Sequence, residues 1–248
     1  MANWSDPRPT SAPFGATADR ARSTAFDAGL RSYMLSVYNY MASAVLLTGI
    51  VALGFANSGY MSVLFNPATG GPNLLGWVVM LAPIGIVFAM SFGQGRMQTG
   101  TLQALFWSYA VLMGLSLSTI FIRYTDASIA GAFFATAAGF AGLSLYGYTT
   151  KRDLSPLATF LLVGVIGILV ASIVAIWVPA LNPVISIVGV LLFAGLTAYD
   201  TQRTKSMYDH VRGTQDEKRV VIMSALSLYL DFINMFLFVL RLFGSQRN

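Results

Sequence analysis

The sequence contains no cysteine, only one histidine and few charged residues of either sign. The absence of cysteine excludes disulfides, thiolate metal sites and cysteine nucleophiles. The single histidine, His210, lies in a basic segment, so histidine-based catalysis and a histidine-ligated zinc site are not expected. Charged residues make up 10% of the 248 residues, whereas an ordinary soluble domain carries about a quarter. The composition therefore excludes a soluble globular domain, a disordered chain and a nucleic-acid-binding protein.

Apolar sequence dominates instead, with 56% hydrophobic residues and a mean hydropathy of +0.66. A helix that crosses a bilayer needs about 20 apolar residues in succession, and the alternating segments of a β-barrel do not occur. The sequence therefore predicts an all-α integral membrane protein with seven transmembrane helices. The seven predicted spans are Tyr33–Phe55, Leu74–Phe92, Thr101–Phe121, Ser128–Tyr148, Leu157–Val178, Pro183–Arg203 and Val220–Phe243.

The ends of the chain differ from this apolar region. Residues 1–32 contain three prolines and several Ser and Thr, without the apolar stretch of a cleavable signal peptide. We predict a disordered polar tail over residues 1–32, a transmembrane domain over residues 33–243 and a short C-terminal tail over residues 244–248.

The basic residues predict the orientation of the chain. With the N-terminus in the cytoplasm, twelve of the fifteen Lys and Arg residues lie on the cytoplasmic side, and only Arg123, Arg241 and Arg247 lie outside. Because cytoplasmic loops are enriched in Lys and Arg, we expect a multi-pass protein with a cytoplasmic N-terminus and an external C-terminus. The bilayer is its first partner, and the sequence does not define an oligomeric state.

Two aspartates lie inside predicted spans. Asp200 is near the inner end of span six, and Asp231 is near the middle of span seven. A carboxylate at the bilayer centre costs about 3 kcal/mol and therefore usually faces protein or water. With a turn at Gly213, the two side chains differ in depth by about 7 Å and could meet. The alternative role is structural, with each aspartate tying two helices together by a hydrogen bond.

Span seven carries a polar stripe around its aspartate. Ser224, Ser227, Asp231 and Asn234 fall within about 80° of one another on a helix, which suits either a pathway lining or helix packing. Two carboxyl groups at low dielectric are expected to share a proton or a cation. Asp200 and Asp231 are thus candidate transient calcium ligands, with Asn234, Tyr229, carbonyls or waters completing the shell.

An enzymatic function is not predicted. An intramembrane aspartyl protease also needs two aspartates on neighbouring helices, but these enzymes typically have Gly-x-Gly-Asp at the second one. The sequence here is Leu228-Tyr229-Leu230-Asp231, which has no such glycine.

Four segments carry a resemblance to a known family. The sequence from Ala225 to Asn234, ALSLYLDFIN, resembles the last-helix signature of the Bax inhibitor-1 family, and Tyr199 to Gln202, YDTQ, resembles its sixth-helix motif. Residues 114–121, GLSLSTIF, and 146–155, YGYTTKRDLS, are similar to the bacterial branch. The resemblance covers residues 30–244.

This resemblance implies a fold in which the last helix is surrounded by the other six. It also implies a pH-sensitive passive calcium leak in the bacterial cytoplasmic membrane, without a cofactor and with calcium as the permeant ion. Asp200 and Asp231 take the positions of the gating and pH-sensing pair. Arg96 takes the position of their cationic partner, and Ser227, Tyr229 and Asn234 are candidate pathway-lining residues.

Two alternatives remain open. Some bacterial members of the family are associated with modulating a membrane-bound ATP-dependent protease, which implies a non-conducting regulator. Residues 1–32 are then the natural contact with that partner, because they are polar and cytoplasmic. A proton-coupled transporter would require saturable uptake of a substrate that the sequence does not name.

Overall fold

The structure, a computed structural model, describes residues 14–66 and 71–247, with side chains from residue 24 onward. The described residues form eight helices and no β-strand. The helices are α1 (Phe14–Asn57), α2 (Leu74–Gly93), α3 (Thr99–Leu117), α4 (Ile120–Arg123), α5 (Asp126–Thr149), α6 (Leu157–Val174), α7 (Asn182–Val211) and α8 (Glu217–Phe243). Short 3₁₀ turns at Tyr60–Leu64 and Pro179–Leu181 precede α2 and α7.

Seven of the helical segments in this described region are long and apolar enough to cross a membrane. The third of them consists of α3 and α4 together, over Thr99–Arg123, and the sixth includes the turn before α7. The predicted all-α fold with seven transmembrane helices is therefore confirmed. The helix α7 runs on to Val211, eight residues past the predicted end of span six.

The N-terminal region differs from its prediction. The helix α1 begins at Phe14, so residues 14–32 are helical and the prediction of a disordered tail is wrong for them. Residues 1–13 lie outside the described residues. The segment after Pro13 is rich in Ala and Arg and contains no proline, so it favours a helix. Phe26 also packs against Tyr208 of α7, with 5.4 Å between ring centroids, which supports α1 before it enters the apolar region.

The hairpin between α7 and α8 turns at Gly213. This residue has a φ of +71°, a left-handed conformation that glycine adopts without a Cβ clash. Its backbone N–H donates to a carboxylate oxygen of Glu217, 3.0 Å away, at the start of α8. The turn therefore lies where the sequence predicted it, and α7 and α8 run antiparallel. We call this side of the molecule the hairpin end.

The last helix is the most buried span. Two thirds of its apolar window is buried, 67%, whereas no other span exceeds 33%. Its contacts are chiefly with α7, α1, α5 and α3. The polar stripe of α8 is therefore covered by protein rather than by lipid. A complete ring of six helices around α8 stays a prediction.

A close contact between α5 and α7 holds one side of this core together. A Cβ added at Gly147 would lie 2.2 Å from the backbone oxygen of Ala198, far inside van der Waals distance. The backbones of the two helices can approach this closely because glycine has no side chain. Near this contact, Thr201 donates a hydrogen bond to Ser144, with 3.3 Å between the hydroxyl oxygens.

Substitution of Gly147 by alanine is expected to push α5 away from α7 and to destabilise the protein by about 1–3 kcal/mol. The measurement is thermal unfolding of the purified chain in mild detergent. Gly142→Ala is the matched control, because it lies on the same helix with open space around its Cβ position. Equal stability of the two variants would contradict the close contact.

Candidate functional site

The two intramembrane aspartates meet between α7 and α8. The side chains of Asp200 and Asp231 are close enough to share a hydrogen bond, and their exposed fractions are only 7% and 4%. A hydrogen bond between two carboxyl groups requires a proton on one of them. We call Asp200 and Asp231 the carboxyl pair.

A serine one turn before Asp231 completes this arrangement. The hydroxyl of Ser227 donates a hydrogen bond to the Oδ2 atom of Asp200. The Oδ2 atom of Asp231 is buried and has no hydrogen-bond partner. A buried acceptor without a donor is costly, at about 1–3 kcal/mol. This oxygen therefore has an unmet capacity to accept a hydrogen bond.

A cavity of about 190 Å³ at the hairpin end of the molecule reaches Asp200, whereas Asp231 is not part of its lining. Asp200 and Ser227 form its inner part, and the exposed residues Gln94 and Arg203 form its outer part. The remaining lining residues are Thr204, Met207, Met223 and Ser224. Asp200 is therefore the member of the carboxyl pair that borders this cavity.

An arginine at the start of α8 ties the edge of this cavity to α2. The guanidinium of Arg219 donates a hydrogen bond to the backbone oxygen of Gln94, just after the end of α2. The same group forms an ion pair with Asp216, 3.1 Å away. Because Gln94 lines the cavity, this contact links the α7–α8 hairpin to the neighbouring wall.

The structure does not bring Arg96 to the carboxyl pair. Arg96 is exposed in the turn that follows α2, and it is not among the residues that line the cavity. Arg203 is there instead, and its charge acts on Asp200. Sequence reasoning missed Arg203, although its spacing of three residues from Asp200 places both on one helix face.

The other predicted pathway residues point elsewhere. Tyr229 is fully buried, and its hydroxyl lies 2.7 Å from that of Thr48, which donates in turn to the backbone oxygen of Ala110. The side-chain amide of Asn234 donates to the backbone oxygen of Leu230, at 2.8 Å. Of the three predicted lining residues, only Ser227 reaches the cavity.

The set of acidic side chains at the site is small. Among the described residues, no cluster of three or more His, Cys, Asp or Glu side chains could hold a metal ion. Calcium binds six to eight oxygen ligands in a tight site, and two carboxyl groups supply only part of such a shell.

These features define a helical membrane protein with seven spans and a buried carboxyl pair. The family model described as Inhibitor of apoptosis-promoting Bax1 matches residues 30–248. The chain therefore belongs to the Bax inhibitor-1 family, and the resemblance seen in its motifs is confirmed.

Similar proteins occur in several bacteria. The chain is 45% identical over 225 residues to the inner membrane protein YbhL of Escherichia coli K12, which covers 89% of this chain and 94% of that protein. It is 42% identical to an uncharacterized protein of Rickettsia prowazekii, with 92% and 95% covered. An uncharacterized protein of Caulobacter vibrioides is 44% identical, with 93% and 95% covered. The seven spans and the similarity to YbhL support a multi-pass protein of the bacterial inner membrane.

The cavity predicts a pattern of chemical accessibility along α8. Because the chain has no cysteine, one introduced thiol reports on one position. Met223→Cys, in the cavity lining, is expected to react with a membrane-impermeant maleimide added from the cytoplasmic side. Asn234→Cys lies about 16 Å further along the helix, outside the lining, and is expected to react at least about tenfold more slowly.

Both positions are half-buried in the structure, so exposure alone does not distinguish them. Equal rates would mean that water passes the carboxyl pair. Reaction of Met223→Cys from the external side alone would reverse the predicted orientation.

Proposed function

We propose that this protein is a pH-sensitive passive calcium leak channel of the bacterial inner membrane, gated by the carboxyl pair. The observation that carries the proposal is the close approach of the Asp200 and Asp231 side chains between α7 and α8, with Asp200 lining a cavity. Carboxyl groups at this depth are costly unless they are paired. A pair that joins two helices and can gain or lose protons has the properties of a gate.

Calcium is the cation that this chemistry favours. Its ligands in proteins are carboxylate, hydroxyl, carbonyl and water oxygens, and the site offers both carboxyl groups and the hydroxyl of Ser227. The unpartnered Oδ2 atom of Asp231 is free to accept a cation. Because the shell is incomplete, calcium would bind briefly and then leave, as conduction requires.

The described conformation corresponds to a closed channel in this proposal. Around Asp231, α8 is packed with buried side chains, among them Tyr229 and Phe232. The ring of Phe232 lies 5.6 Å from those of Phe133 and Phe140 on α5, centroid to centroid. Opening therefore requires α8 to move relative to α5 and α7, and the contacts of the carboxyl pair oppose that movement.

The protonation of the pair sets the direction of the pH effect. At high pH both carboxyl groups are ionised, and the positive charge of Arg203, which acts on Asp200, stabilises the closed arrangement. A proton weakens this stabilisation and favours opening. At low pH both groups are neutral, so they no longer attract calcium. The leak is therefore greatest at intermediate pH.

Calcium entry into proteoliposomes, followed with an enclosed dye between pH 5 and pH 8, tests this proposal. We expect a maximum inside the range, with entry falling by up to about tenfold per pH unit away from a controlling pKa. Asp200→Asn and Asp231→Asn each remove one titratable carboxyl and should flatten the profile. Asp209→Asn, an exposed position near the end of α7, is the control and should retain the parent profile.

Protein shown to be folded by its thermal unfolding, but without entry above empty liposomes at any pH, would end the channel proposal. The two aspartates would then be groups that tie α7 to α8. A leak that is flat across the pH range would retain the channel and reject the gate.

Deletion of residues 1–13 separates a channel from a tail-dependent regulator of a membrane protease. The deletion must stop before the described part of α1, because Phe26 and Leu30 pack into the core. We expect the truncated chain to keep its calcium entry, measured in the same proteoliposomes, because the carboxyl pair is distant in sequence. The regulator would be favoured if neither the parent nor the truncated chain conducted calcium and if a protease co-purified with the parent chain alone.

A further inference from the structure

A second, larger cavity lies at the end of the bundle opposite the hairpin. Its volume is about 560 Å³, roughly three times that of the cavity at the carboxyl pair. It lies between the end of α4, the residues that follow α6, the start of α7 and the end of α8. Nothing in the proposed calcium function uses it.

Two arginines give this cavity its charge. Arg123, the last residue of α4, and Arg241, in the last turn of α8, both line it, and no described acidic residue does. Neither arginine forms an ion pair within the described part of the chain, where the two ion pairs belong to Arg219 and Arg247. The guanidinium of Arg241 lies 5.7 Å from the ring centroid of Phe238, a contact that leaves its charge in place. The cavity is therefore an uncompensated cationic site.

The C-terminal segment, residues 244–247, holds the backbone of Arg123 beside α8. The N–H of Arg247 donates to the backbone oxygen of Arg123 at 2.9 Å, and Tyr124 pairs with Gln246 in an isolated antiparallel bridge. Gly244 permits this return of the chain, because a Cβ there would lie 2.4 Å from the backbone oxygen of Leu240. These contacts thus fix the backbone of Arg123 near the end of α8.

The remaining lining of the cavity is mixed, and its larger apolar side chains form what we call the apolar wall. Ile120, Ile176 and Leu237 belong to it. Ile176 is 71% exposed, and the next residue, Trp177, is 74% exposed, just after the fifth membrane span. Tryptophan is enriched at the membrane–water interface. The cavity therefore combines two cations at the interface with an apolar wall that is open to lipid.

From this combination we propose that the cavity binds an anionic phospholipid, which we place in the leaflet at the end of the bundle opposite the hairpin. Arg123 and Arg241 hold its phosphate, because guanidinium groups bind phosphate oxygens through paired N–H donors. The apolar wall receives the first part of an acyl chain, which a free phosphate ion does not have. A headgroup with its own cation would be repelled by the two arginines, so a net anionic lipid is favoured.

This inference is independent of the calcium proposal. The carboxyl pair and the hairpin-end cavity share no lining residue with the two-arginine cavity. A protein that conducts no calcium could therefore still bind the lipid, and the lipid assay requires no ion flux.

Photo-crosslinking of the full chain in mild detergent tests the proposal. The probe is a phosphatidylglycerol with a photoreactive group near the start of one acyl chain, and the modified peptides are identified by mass spectrometry. We expect modification concentrated at Ile176 and at residues 237–241. Unlabelled phosphatidylglycerol should compete at least about tenfold better than phosphatidylcholine with the same chains, since it lacks the choline cation.

Substitutions then assign the charge recognition. Arg123→Gln and Arg241→Gln should each weaken competition about tenfold, the loss expected for one charged hydrogen-bonding group. Arg152→Gln, an exposed arginine in the loop after α5, removes the same charge at the opposite end and should have no effect. Arg241→Lys keeps the charge and should retain more binding than Arg241→Gln, which distinguishes lost recognition from lost folding.

Three results would overturn the proposal. One is crosslinking that is spread evenly over the apolar surface and that does not change when Arg123→Gln and Arg241→Gln are combined. This result would mean that the two arginines are solvated and bind no lipid. Another is equal competition by phosphatidylcholine, which would exclude recognition of net charge. The third is equal competition by inorganic phosphate, which would make the site one for a free anion.

Discussion

The pairing of two carboxyl groups inside the hydrocarbon region is the interaction on which the arrangement of this bundle depends. A carboxyl group that entered the bilayer alone would cost several kcal/mol. Asp200 and Asp231 avoid most of that cost by facing each other, with Ser227 as an additional donor. The contact requires α7 and α8 to be neighbours at one depth, which the turn at Gly213 allows. It also requires α8 to face protein, as its high burial shows.

Small residues allow the other helices to cover α7 and α8 closely. Gly147 on α5 touches the backbone of α7, and Gly189 on α7 lies against the ring of Phe238, where a Cβ would come within 2.6 Å. Phe193 stacks on the same ring with 5.9 Å between centroids. Because association of helices in lipid depends on such packing and on interhelical hydrogen bonds, glycine and phenylalanine together fill the space that surrounds the polar stripe.

The cavities at the two ends of the bundle differ in the charged groups that line them. The one at the hairpin end reaches a carboxyl pair, whereas the one at the opposite end carries two uncompensated arginines. Two positive charges repel an approaching calcium ion, most strongly at the low dielectric of a membrane protein. An anionic headgroup between Arg123 and Arg241 would offset that repulsion. The two proposals, although they are tested separately, are thus electrostatically compatible.

The sequence by itself determined the class of the fold and the identity of the buried pair. Apolar runs of sufficient length predict seven spans because lipid requires them, and two acids inside such runs are conspicuous because each is costly. Hydropathy could not detect the helical extension from Phe14, which depends on helix propensity and on Phe26 packing against Tyr208. Only the tertiary structure decided which polar groups meet. It brought Arg203 rather than Arg96 to the cavity and turned Tyr229 towards Thr48. It also placed Arg123 and Arg241 in the lining of one cavity, although they are 118 positions apart in the sequence. These contacts depend on how each helix is rotated about its axis and packed against its neighbours. The residue pattern within a single helix does not determine that rotation.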